Sequence, residues 1–166
     1  MLRSGARSVL VLFLAGCGLS PYGFAGGGLP SNIKTVAVLA FDNETAISDL
    51  PRDITESLRR ELQSRLGLRE APENRAHAVV TGTILRYDAD MPIGFSADPN
   101  RATTARRKLQ ITVDISIVDQ GSGKTLLERR GLVAEGEYAE SAEVNGRRQA
   151  IEKLIDEIVR GVQSQW

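Results

Sequence analysis

The chain has one cysteine and one histidine among 166 residues. A lone cysteine, Cys17, has no second thiol to pair with, so the folded part relies on packing alone even in an oxidising compartment. A lone histidine, His77, cannot build a His-based metal site or a repeated acid–base array. Aromatics are only 5% of the residues, so the core must come mainly from Val, Ile and Leu. Net charge is missing too, with 21 basic against 21 acidic residues, and 19 against 21 once residues 1–16 are set aside. That excludes the global electrostatic footprint of a nucleic-acid binder. The apolar run Val9–Ala15 falls well short of the ~20 residues that cross a bilayer as a helix.

What is present at the start has a pattern. Arg3 and Arg7 precede the apolar run, and small residues follow it, which are the parts of an export signal. Leu14-Ala15-Gly16-Cys17 resembles the lipobox of bacterial lipoproteins. The resemblance implies that residues 1–16 are a signal peptide and that Cys17 becomes the acylated first residue of the mature chain. Several acyl chains on one residue hold a protein firmly on a membrane, whereas one chain gives only marginal binding. Gly18 follows the cysteine, as in lipoproteins of Gram-negative bacteria that are passed on to the outer membrane. Residues 17–30 are then expected to be the acylated cysteine and a flexible tether rich in Gly and Pro.

Residues 31–166 are enough for one domain with one core. Ile33–Phe41 reads as a strand that is almost continuously apolar in its later part, ended by turn chemistry at Asp42–Thr45. Leu50, Ile54, Leu58, Leu62 and Leu66 recur every four residues and lay one apolar stripe along a helix. Asp49 is the expected cap, Pro51 sits in the first turn and Gly67 is the stop. Arg69–Ala76 reads as a polar connection. Ala78–Tyr87 reads as a second strand by β-branched enrichment, and Asp88–Thr104 as a long loop.

Leu109–Ile117 alternates five apolar with four polar residues, which predicts a strand with Gln110, Thr112, Asp114 and Ser116 facing outward. Asp119–Lys124 is a hairpin connection, and Thr125–Tyr138 returns as the fourth strand. A last helix is expected from about Ser141 to Gln163, with Ile151, Leu154, Ile155, Ile158, Val159 and Val162 on its apolar face. The order β-α-β-β-β-α predicts an α+β fold. Two helices pack on one face of a four-stranded mixed sheet, a two-layer sandwich.

Chemistry-bearing motifs are sparse. Gly123-Lys124-Thr125 mimics the end of a phosphate-binding loop, but Val118 stands where that loop needs its first Gly, and a strand follows instead of a helix. There is no Ser-centred nucleophile elbow, and no cysteine remains for catalysis once Cys17 is acylated. Nothing makes a positive case for an enzyme, a cofactor or a metal. The basic cluster is the better candidate. Arg101, Arg106, Arg107 and Lys108 close the long loop and open the alternating strand, while Arg129 and Arg130 lie on its hairpin partner. Sharing one end of the sheet, they would suit phosphate groups.

Leu29–Thr45, with its Leu-Pro-x-x-Ile-Lys-Thr start and Phe-x-Asn-x-Thr end, resembles the opening of the LPS-assembly lipoprotein LptE family. Leu58–Leu62, Ala78–Thr83 and Val118–Leu126 resemble that family's helix, second strand and hairpin. The resemblance implies a non-enzymatic lipoprotein on the periplasmic side of the outer membrane. It would plug an LptD-like β-barrel and support assembly of lipopolysaccharide at the cell surface. Arg101, Arg106, Arg107, Lys108, Arg129 and Arg130 would then be contacts to lipopolysaccharide or to the barrel. A different class stays open: Val36–Asn43 is also similar to the first strand of curli-secretion lipoproteins and of the TolB amino-terminal domain, which are secretion-channel or scaffold modules.

Overall fold

The computed structural model describes residues 29–92, 106–139 and 142–164. Cys17, the tether as far as residue 28 and Arg101 lie outside these residues. The apolar strand reading holds for Thr35–Val38 (β1), which is followed after a break by the two-residue strand Asp42–Asn43 (β2). Helix α1 spans Leu50–Leu66 and buries Leu50, Ile54, Leu58 and Leu62 of the predicted stripe, with Leu66 partly buried against the core. Asp49 does not cap it through its side chain; Gly67, at φ 65°, stops it in the left-handed conformation. The expected polar connection carries another two-residue strand, Arg69–Glu70 (β3), and a short 3-10 turn at Glu73–Arg75.

Three long strands follow: Ala78–Pro92 (β4), Arg106–Asp119 (β5) and Thr125–Ala139 (β6). Asp88–Pro92 are therefore strand where a loop was expected. The remainder of that stretch, 93–104, lies outside the described residues. Helix α2 runs over Glu143–Ser164 and buries all six of the predicted apolar positions.

The sheet is mixed, with order β3-β1-β4-β5-β6 and β2 beside Thr83 and Ile84 of β4. β1, β2 and β3 pair in parallel, while β4-β5-β6 form an antiparallel meander. β1 and β2 stand where one longer first strand was expected, and β3 forms in the expected polar connection, so the count is six rather than four. The architecture remains α+β with two helices against an open mixed sheet.

One continuous core joins Val36, Val38, Val80, Ile84, Ile111, Val113, Ile115 and Ile117 of the sheet to Leu50–Leu62 of α1 and Ala150–Val162 of α2. At about 1.5–3 kcal/mol for each fully buried large apolar side chain, this layer is the main favourable contribution to folding. Close approach of α2 to β6 depends on two glycines. A Cβ at Gly136 would lie 1.8 Å from the Gly146 carbonyl oxygen, so no side chain fits there. A small second cluster of Ala37, Ala76 and Val79 covers the other face near β1 only. The rest of that face, from β4 to β6, carries no helix.

Candidate functional site

The uncovered face is set by strand alternation. Opposite residues of an antiparallel ladder share a face, and the ladder places Lys108 opposite Glu137, Gln110 opposite Glu135, Thr112 opposite Val133 and Ser116 opposite Glu128. Gln110, Asp114 and Ser116 are half-buried, as the alternation predicts, but Thr112 is buried at 7% exposure. Val133, at 42%, is one of the few exposed large apolar residues among those described.

The basic residues are not brought together. Arg106, Arg107 and Lys108 pair with Ala139, Tyr138 and Glu137, whereas Arg129 pairs with Ile115. At about 3.4 Å per residue, the eight steps from Arg107 to Ile115 put the two groups roughly 27 Å apart, at different levels of the hairpin. The shared sheet end expected for them does not form. The reason is hairpin length: both strands run on to Arg106 and Ala139, carrying the first group far from the turn.

Each group also meets acids of its own chain. Arg106 lies 3.5 Å from Glu137, Arg107 3.1 Å from Asp90, Lys108 2.8 Å from Glu135 and Arg130 2.9 Å from Glu128. Arg129 donates to the Glu128 carbonyl at 3.0 Å. Exposed pairs of this kind are each worth about 0–1 kcal/mol, so they balance charge more than they stabilise. The patch is consequently a mixed field of alternating sign. Such a pattern suits the orienting of a partner of complementary charge more than the attraction of an anion at long range.

The distal end is held by tyrosines. Tyr138 donates to Asp90 Oδ1 at 2.9 Å, and the Asp90 N–H donates back to Tyr138 Oη at 3.1 Å. Asp90 is a non-glycine residue at φ 67°, within a break of the β4–β5 register. Tyr138 and Arg107 grip it from β6 and β5, which lets a sparsely populated conformation persist. Tyr87 donates to Glu143 of α2 at 2.5 Å. Burial, with the Glu143 carboxylate beside it, raises the Tyr87 phenol well above its ordinary range; burial and Asp90 raise Tyr138 likewise.

Sequence reasoning did not assemble a second feature, a shallow recess of about 250 Å³ halfway along the open face. Two cross-strand rows floor it: Asp42–Thr83–Asp114 and Thr81–Ser116–Glu128. Short side chains leave the hollow. Asp114 Oδ1 accepts the Gly131 N–H at 2.6 Å where β6 bulges. The outward position of Asp114 is legible from alternation, but Asp42 reads locally as a turn residue, and only parallel pairing of β2 with β4 brings the two acids into one row. Among the described residues there is no group of three or more potential metal ligands and no helix long and apolar enough to cross a membrane.

A family model described as LptE, lipopolysaccharide-assembly, matches residues 33–166. No curated protein matches the chain significantly. Among solved structures, protein XCC0632 from Xanthomonas campestris is similar with a TM-score of 0.56 at 8% identity, over 81% of this chain and 84% of that one. The PelC dodecamer from Paraburkholderia phytofirmans gives 0.53 at 14%, over 84% and 96%. A minor lipoprotein from Acinetobacter baumannii gives 0.50 at 19%, over 81% and 94%. Likeness at this identity shows a shared fold.

Proposed function

Since this chain belongs to the LptE family of lipopolysaccharide-assembly proteins, we propose that it is an outer-membrane lipoprotein that plugs and supports an LptD-like β-barrel. Cys17 anchors it to the periplasmic side of the membrane through acyl chains. Residues 17–30 tether the domain, and the folded part enters the barrel. Lipopolysaccharide is the cargo of the assembled pair, and the chain performs no turnover of its own.

The family match over residues 33–166 is the observation that carries this reading. The open sheet face gives it a physical basis. Barrel interiors are polar, and the β4–β5–β6 face offers polar and charge-paired side chains where the opposite face is sealed by α1 and α2. Arg106 and Lys108 stand on that face at its distal end, with Arg107 between them on the opposite face of the strand, and the three are the first candidates for contact with the barrel wall or lipopolysaccharide phosphates. Arg129 and Arg130 form a separate contact near the recess, and Arg101 would extend the distal group.

The test is isolation of the lipidated protein from outer membranes. Co-purification of one large barrel in a one-to-one ratio is the expected result. A homo-oligomeric ring without a barrel would overturn it in favour of a secretion-channel lipoprotein.

A further inference from the structure

We infer that the sheet end carrying the β5–β6 turn is a docking surface for anionic phospholipid headgroups, with Lys34, Arg69 and Lys124 as its contacts. The inference rests on the acyl anchor at Cys17 proposed above and not on the barrel. It gives the anchored domain a fixed end toward the membrane.

The described part of the chain begins at this end. Leu29 packs against the core, and the Pro30 carbonyl accepts the Ile33 N–H. The Asn32 side chain lies against Asp119 at the β5–β6 turn. Three backbone bonds gather the neighbouring strand ends. The Lys34 N–H donates to His77 Nδ1 at 3.1 Å, the Arg69 N–H to the Lys34 carbonyl at 3.0 Å, and the Gln120 N–H to the His77 carbonyl at 2.8 Å. The starts of β1, β3 and β4 therefore share one end with the turn and with the residues that lead back to Cys17.

Lys34, Arg69 and Lys124 are exposed at that end. Among the described residues, no ion pair forms at Lys34 or Arg69. Their acidic neighbours are engaged otherwise: Glu70 lies 3.2 Å from Arg59, and Asp119 is buried within the turn. The distal strand ends are the opposite case, because Arg106, Arg107 and Lys108 each meet an acid within 3.5 Å.

Reach then decides which end can meet lipid. The twelve residues from Gly18 to Leu29 span at most about 40 Å. The fourteen residues of β5 make the sheet roughly 44 Å long, so a domain inverted onto its distal end would stretch that connection to its limit. A basic side chain near an anionic surface strengthens binding about fivefold. Three together give on the order of a hundredfold, too little to hold a free domain but enough to orient one already anchored.

The test reconstitutes the full lipidated chain in vesicles without a barrel. Acylation consumes the Cys17 thiol, so Ser31→Cys at this end and Ala139→Cys at the distal end each offer one thiol for a fluorescent donor. Energy transfer to a headgroup-labelled lipid is read in phosphatidylcholine vesicles with and without phosphatidylglycerol. Transfer should be higher from the Ser31→Cys label than from the Ala139→Cys label, and phosphatidylglycerol should raise it further. Lys34→Gln, Arg69→Gln and Lys124→Gln together should return it to the phosphatidylcholine level. Lys34→Gln with Arg69→Gln, which leaves the turn untouched, should give an intermediate fall, and thermal unfolding of both variants should match the wild type. Transfer that ignores phosphatidylglycerol, or a triple variant that behaves as the wild type, overturns the lipid surface. A triple variant that keeps wild-type transfer but loses the barrel on isolation from outer membranes overturns it too, by assigning this end to the barrel wall. A wild-type chain that carries no acyl group by mass and does not enter vesicles overturns the anchor on which the inference stands.

Discussion

Asp119 shows how one side chain ties the hairpin turn together. Its carboxylate accepts from Ser122 Oγ at 2.7 Å and from the Gly121 N–H at 2.8 Å, while the next residue, Gln120, donates its N–H to the His77 carbonyl. The Ser122 hydroxyl, followed by the Gly121 amide, holds the Asp119 carboxyl below its usual 3.8. Asp156 is lowered as well, chiefly by the Arg65 guanidinium 2.7 Å away, a bond that joins α2 to α1. A carboxyl that is more acidic folded than unfolded favours the folded state when deprotonated. Its contribution is complete above the unfolded value near 3.8 and is lost as pH falls through the lower, folded value. Replacing both with Asn should therefore lower stability at neutral pH and make acid unfolding less steep. Urea unfolding at about pH 7 and about pH 3 checks this: the gap between variant and wild type should narrow in acid, and an unchanged gap would contradict the assignment.

The elements differ in how far they can be read from the chain. Helix α1 is legible because its stripe is local: Leu50, Ile54, Leu58 and Leu62 define a face within four turns, and Gly67 ends it. At Gly67 a Cβ would meet nothing within 4 Å, so substitution there isolates backbone strain from crowding. Gly67→Ala should cost about 1 kcal/mol in chemical denaturation, and Gly67→Asn should cost less because Asn tolerates the left-handed region. Equal losses for Ala and Asn would mean that strain is not the cause. Strand β5 is legible for a similar reason, since its alternation needs no knowledge of its neighbours. The short strands β2 and β3 are not legible. Two residues carry no period, and Asp42-Asn43 and Arg69-Glu70 become strand only because β4 and β1 lie alongside. The same limit hid the last part of β4. Asp88–Pro92 has the composition of a loop, and pairing with Arg107, Lys108 and Gln110 makes it strand despite the irregularity at Asp90. The basic residues were visible in the sequence, but their separation was not, because it depends on strand length and register.

At the scale of the whole molecule, the two faces of the sheet divide the work. One is sealed by both helices and supplies the stability; the other displays a charge-patterned surface on strands too well paired to shift. Rigid elements hold a contact pattern more accurately than loops do, which suits the proposed task of supporting a barrel. On the proposed reading such a molecule would have two separable attachments to the envelope: acyl chains at Cys17 and the sheet face. The described residues share one core of their own, so Cys17→Ala should leave the fold intact while removing the anchor. In cells lacking the barrel, the variant should appear in the soluble periplasmic fraction, since its acyl anchor is gone. With the barrel present, part of it should stay with the outer membrane through the docked face alone. Fractionation in the two backgrounds distinguishes the attachments. If the variant stays membrane-bound without the barrel, Cys17 is not the anchor. If it is released completely in both backgrounds, the sheet face binds too weakly to be the supporting surface.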